Sequence, residues 1–101
     1  MIKDFFIGFI KIHILYHAAK EPIYGVELMR ELNRHGYNVG SGTLYPILHR
    51  LLNDGYLALR EENVSGKIRK YYRITAKGKR VLKECKDKIH ELVSEVIEED
   101  G

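Results

Sequence analysis

Apolar residues recur at helical spacing between Leu44 and Leu52. Leu44, Ile47, Leu48, Leu51 and Leu52 make one stripe, and Ser41, Thr43, Tyr45, His49, Arg50 and Asn53 fall largely off it. A small polar lead-in, Gly40-Ser41-Gly42-Thr43, precedes this helix and Gly55 closes it. Thr43 and Ser41 are the two candidate caps. With Thr43, Pro46 is the third helical residue and its missing N–H costs nothing; with Ser41, the first turn is distorted. Hydroxyls and backbone amides at such a helix start can hold phosphate, and longer side chains can reach base edges. The same polar row also suits the outer face of any amphipathic helix. The remainder of the chain has to decide between the two.

Upstream, Asp4 is expected to cap a first helix that runs to about Ala19. Phe5, Phe6, Ile7, Phe9, Ile10, Ile12, Ile14, Leu15 and Tyr16 leave it few outward positions, so it needs burial on two sides. One side is the chain's own core and the other is a partner subunit. Glu21-Pro22 breaks this helix. A second helix is expected from Tyr24-Gly25 to about His35, with Val26, Leu28, Met29 and Leu32 inward and Gly36 as a left-handed cap. Tyr37 to Gly40 then reads as a short connection. Two helices joined by a short Gly-containing turn, the second with an exposed polar row, fit a helix-turn-helix.

After Gly55 the period changes to two. Tyr56–Glu61 and Ile68–Ile74 read as paired strands, with a flexible tip at Asn63–Lys67. Alternation sets Arg69, Tyr71 and Arg73 on one face and Ile68, Lys70, Tyr72 and Ile74 on the other. A basic hairpin behind a helix-turn-helix is a wing, and Lys67, Arg69 and Lys70 sit near its tip for phosphates or a minor groove. Thr75 caps a last helix to about Glu98. There Leu82, Cys85, Ile89, Leu92 and Val96, widened by Val81, Val93 and Ile97, make a heptad seam. That seam packs on the first helix, on a second copy, or on both; dimerisation is the favoured reading.

Charge changes this picture. Residues 1–83 carry 15 Lys/Arg against 7 Asp/Glu, a balance of +8, and residues 84–101 carry 2 against 7, a balance of −5. From Asn63 to Lys83 there are eight basic residues and no acidic one, which points to a polyanion such as DNA. The one cysteine, Cys85, cannot form an internal disulfide and lies in the seam, so a reducing compartment, the cytoplasm, is expected. The apolar run Phe5–Ile10 is too short for a membrane span. His13 and His17 are one helical turn apart, a spacing compatible with a metal-responsive regulator, but the sequence offers no evident third ligand and no metal or cofactor is expected. Paired carboxylates, a phosphate-cradling loop and a Cys/His constellation are absent, so enzymatic activity is not expected. A protein-binding winged helix remains the other alternative. With 101 residues, one domain over 1–101 is expected, with a winged helix-turn-helix over 1–75 and a dimerisation helix over 75–99. The fold class is mainly α with a small β-hairpin.

Three motifs resemble the PadR family of winged-helix transcriptional regulators. The first is Gly42-Thr43-Leu44-Tyr45-Pro46 followed by Leu48-His49-Arg50-Leu51 and Gly55-Tyr56-Leu57. The second is Arg69-Lys70-Tyr71-Tyr72-Arg73-Ile74-Thr75 followed by Gly78 and Leu82. The third is Tyr24-Gly25. With one carboxy-terminal helix the chain is similar to the short subgroup. The resemblance implies a dimeric DNA-binding repressor, which an apolar small molecule releases in some members; two recognition helices about 34 Å apart then fit a palindromic operator. It places Thr43, Tyr45, Pro46, His49 and Arg50 in the recognition helix and Lys67, Arg69 and Lys70 in the wing, and adds Tyr24, Ser41 and Gly42 as DNA contacts. Phe5, Phe6, Phe9, Tyr16, Leu82, Cys85, Ile89, Leu92 and Val96 are the expected dimer interface. Leu52 departs from an often acidic position, and the chain has no Trp on which to build an effector pocket. Asp54, one turn after Arg50, is a competing partner for that guanidinium.

Overall fold

The computed structural model describes residues 1–99; Asp100 and Gly101, the end of the expected domain, lie outside the described residues. Helix α1 spans Ile2–Lys20, strand β1 Ile23–Tyr24, α2 Gly25–Arg34, α3 Ser41–Asn53, β2 Leu57–Val64, β3 Lys67–Ile74 and α4 Ala76–Leu92. A π-helical stretch, Val93–Glu98, prolongs α4. The sheet is antiparallel in the order β1-β3-β2. This is a winged helix-turn-helix with a long carboxy-terminal helix, mainly α with a small sheet.

The core forms where the apolar stripes of α1, α2 and α3 converge on the sheet. Ile14, Leu28, Leu32, Leu44 and Leu48 are its fully buried side chains. Each contributes roughly 1.5–3 kcal/mol through removal from water. The stripe on α3 is realised as expected, with Leu44, Ile47, Leu48 and Leu51 buried and Leu52 half-buried. Helix α1 buries Ile10, Ile14, Leu15 and Ala18 and turns Phe5, Phe6, Phe9 and Tyr16 outward.

Several expectations are corrected. Met1, not Asp4, precedes α1; Asp4 lies inside the first turn, where its charge favours the positive end of the helix dipole. The cap of α3 is Gly40, whose carbonyl accepts from Thr43 and Leu44 at 3.2 and 3.0 Å. Pro46 is therefore the sixth helical residue and supplies no N–H to the carbonyl of Gly42. Val26 is exposed rather than inward. The connection Tyr37–Gly40 is not merely a spacer, because Val39 is buried. The Asn33 side chain clamps it, accepting from Val39 N–H at 2.6 Å and donating to its carbonyl at 3.4 Å. Gly36, at φ +86°, ends α2 as expected: its N–H donates to Asn33 and the N–H of Tyr37 to Leu32, a Schellman pair.

The hairpin is longer and tighter than its alternation suggests. Its strands run to Val64 and from Lys67, and Ser65 and Gly66, both at positive φ, make a two-residue type I′ turn. Strand β1 is too short to leave a pattern; it pairs Ile23 with Tyr72 and Tyr24 with Tyr71. Leu82 belongs to the chain's own core, so the outward seam of α4 starts at Cys85.

Thr75 closes the base of the wing. Its hydroxyl donates to the Gly55 carbonyl at 2.6 Å and accepts from Gly78 N–H at 3.0 Å, and its N–H donates to the Tyr56 carbonyl at 3.1 Å. Gly78 lies so close that a Cβ there would run into the Tyr56 carbonyl and the Ile74 side chain. Gly78→Ala is therefore expected to lose about 1–3 kcal/mol of stability by overpacking, read as a lower urea midpoint. Gly42→Ala, which meets open space, serves as the comparison and is expected to change stability far less.

Candidate nucleic-acid interface

Helix α3 presents its start to solvent. Ser41, Gly42, Thr43, Tyr45, Pro46, His49 and Arg50 are all exposed. The backbone N–H groups of Gly40, Ser41 and Gly42 make no hydrogen bond among the described residues, and with the Ser41 and Thr43 hydroxyls they can receive an anion. Tyr45 does not project freely, because its ring lies over Gly25, where a Cβ would come within 2.8 Å of the Tyr45 hydroxyl. Gly25 thus lets α2 and α3 approach closely, and the ring is fixed between α3 and the wing.

Beside that ring runs an open groove of about 550 Å³, lined by Tyr24, Gly25, Val26, Tyr45, Lys67, Ile68, Arg69, Lys70 and Tyr72. Five of the residues expected to meet DNA, namely Tyr24, Tyr45, Lys67, Arg69 and Lys70, come together on this concave face. Ser41, Gly42, Thr43 and His49 lie outside it along α3. Pro46 and Arg50 turn toward α1, where they share a shallow cleft with Ile7, Lys11 and Ile47. No ion pair joins Arg50 to Asp54 among the described residues. The Asp54 carbonyl instead accepts from Lys77 at 2.7 Å.

The wing is a built surface rather than a loose basic loop. The Arg69 guanidinium lies 4.9 Å from the Tyr24 ring centroid, and Tyr24 and Tyr71 meet edge-on at 5.7 Å. The neighbouring Tyr71 side chain, with Tyr24 and Glu27, holds the Arg69 pKa above its ordinary value, so its charge is fixed. Glu27 in turn accepts from the Tyr24 N–H at 3.3 Å. Burial, and then the Tyr45 hydroxyl, raise the pKa of Tyr72 beneath the groove. Strand pairing also sets Glu61 opposite Lys70 and Glu62 opposite Arg69. The acid-free run read along the chain thus gains two carboxylates across the hairpin, one of them held by Arg60 at 3.0 Å.

Sequence reasoning missed Val26 and Ile68, 43% and 67% exposed, which give the groove an apolar edge. Ile68 was legible from its alternation but not its exposure; Val26 followed the inward pattern of α2 and gave no signal. It also missed His35, which joins His13 and His17 across the α1–α2 crossing.

The expected interface residues are mostly outward. Phe5, Phe6, Phe9 and Tyr16 are exposed on α1, with the Phe5 and Phe9 rings 4.4 Å apart. Cys85 and Ile89 are half-buried, and Leu92 and Val96 are exposed beyond the core. No helix among the described residues is long and apolar enough to cross a membrane.

Comparison with known proteins agrees with this architecture. The transcriptional regulator Rv3488 of Mycobacterium tuberculosis H37Rv is 43% identical over 96 residues, covering 95% of this chain and 90% of that protein. A PadR family transcriptional regulator from Eggerthella lenta superposes with a TM-score of 0.84 at 38% identity, covering 95% of this chain and 85% of that one. A PadR-like transcription factor from Bacteroides fragilis gives 0.83 at 35%, covering 93% and 92%. Residues 14–84 match the transcriptional regulator PadR-like family. That span runs from the middle of α1 through the wing into α4, and with these relatives it shows that the chain belongs to the PadR-like family of transcriptional regulators.

Proposed function

We propose that the chain acts as a homodimeric repressor on a palindromic operator. Two α3 helices enter successive major grooves about 34 Å apart, and each wing lies on the backbone or in the minor groove. The observation that carries this reading is the groove that joins Tyr45 of α3 to Lys67, Arg69 and Lys70 of the wing. Ser41 and Thr43, with the free amides of the helix start, hold phosphate; His49 reads the major groove of the DNA, and Arg50, turned toward α1, reaches its edge. Tyr24 orients Arg69. Residues 1–75 form the DNA-reading part and 75–99 the dimerisation helix.

Pairing rests on the apolar residues that the described part of the chain leaves exposed. Phe5, Phe6, Phe9 and Tyr16 on α1, and Leu92, Val96 and Ile97 beyond the core, are between 36% and 63% exposed. An apolar small molecule that enters this interface alters how far apart the two α3 helices stand. Such a regulator works where the DNA is, in the cytoplasm.

Binding to duplex DNA followed by fluorescence anisotropy tests the groove. Lys67→Ala is expected to weaken every sequence alike and to lower the slope of log K against log salt by about 1. His49→Ala is expected to change sequence preference, by about 1–3 kcal/mol at one base position. Unchanged affinity and salt slope in a Lys67→Ala/Arg69→Ala double variant would overturn the assignment. Sedimentation tests the pairing: the wild-type chain should run as a dimer and Leu92→Glu/Val96→Glu as a folded monomer, since neither side chain supports the core. A wild-type monomer at micromolar concentration refutes the dimer.

A further inference from the structure

Away from the groove, three histidines meet where α1 crosses the end of α2. His13 and His17 are one turn apart on α1, and His35 is the C-cap of α2. One ring nitrogen from each lies within 4.8 Å of the other two. The His13 and His35 rings stack at 4.7 Å and 26°, and His17 lies 6.3–6.4 Å from both. We propose that His13, His17 and His35 form a three-nitrogen site for a divalent late first-row transition ion of the zinc or cobalt class, with a fourth position open to water.

Three observations support it. The Nε2 atom of His17 is buried without a hydrogen-bond partner, and a buried polar atom left unpaired calls for a water or an ion. Zinc–imidazole bonds of about 2.0–2.1 Å put tetrahedral ligand atoms roughly 3.3 Å apart, so closing the cluster takes about 1.5 Å. His35 is exposed at a helix end and can turn that far. An open cleft of about 250 Å³ beside His17, lined also by Lys20, Glu27, Arg30 and Glu31, brings water to that side of the cluster.

The chemistry of the set selects the ion. Imidazole without thiolate suits zinc, cobalt and nickel, whereas magnesium and calcium need oxygen ligands. Burial, and then the charges of its histidine neighbours, depress the pKa of His13; burial likewise depresses His17. A metal takes the lone pair of a neutral ring nitrogen, so cations close to the cluster count against it. Lys20 and Arg34 are the opposing cations, and both are exposed. Glu31 offsets them from one turn before His35, where it accepts from Arg34 at 2.9 Å. Stacked histidines could also serve only to pack α1 on α2, and that role would give no stoichiometric metal uptake.

The test uses the full chain without a polyhistidine tag, stripped of metal with a chelator. Cobalt titration should give visible absorption of a four-coordinate site, saturating at one ion per chain and bleached by one equivalent of zinc. His35→Ala, at an exposed position, should weaken cobalt binding at least tenfold, and His13→Ala likewise, while His90→Ala, an exposed histidine on α4, should not. Zinc should raise the melting temperature of the wild type and not of His35→Ala. No visible band, or equal affinity in wild type and His35→Ala, would overturn the site. None of these readouts depends on DNA binding, so the failure of either reading leaves the other standing.

Discussion

Thr75 and the glycine three residues after it hold the molecule's geometry together. Through one hydroxyl and one amide, Thr75 ties the end of α3, the first residue before the wing and the first turn of α4. Gly78 lets α4 settle against the Tyr56 carbonyl. The base of the hairpin is thereby fixed to the end of α3. The direction in which α4 leaves the core is set at the same point. Both the groove between Tyr45 and the wing and the course of α4 therefore depend on one junction that lies outside that groove.

Much of this was legible in the chain. Residues with a strong period declared themselves: Leu44, Ile47, Leu48 and Leu51 on α3, Leu28 and Leu32 on α2, and Tyr72 and Ile74 in the wing are buried where the pattern put them. Caps and turns were legible where a residue has one strong use, as with Gly36 and Thr75. What was hidden is of another kind. Strand β1 is two residues long, and the backbone of Val39 is held by a side chain six positions away. His35 meets His13 only because two helices cross. Tyr45 is held by Gly25, and Glu61 and Glu62 face the basic strand through pairing register. No local period encodes such contacts between distant positions.

Helix α1 shows how one element can serve two surfaces. Its buried face, Ile10, Ile14, Leu15 and Ala18, fixes it to the core, and its other face is aromatic and uncovered. His13 and His17 occupy the flank between the two, against the end of α2. That flank adjoins the helix-turn-helix on one side and the exposed aromatic face on the other.

Register sets Glu61 opposite Lys70 and Glu62 opposite Arg69, but no ion pair crosses the hairpin among the described residues: Glu62 is held by Arg60 on its own strand, and the Arg69 guanidinium lies over Tyr24. The two carboxylates therefore thin the positive field of the wing without tying up its cations. Lys67, Arg69 and Lys70 stay exposed, and the hairpin is a diluted rather than a neutralised basic surface.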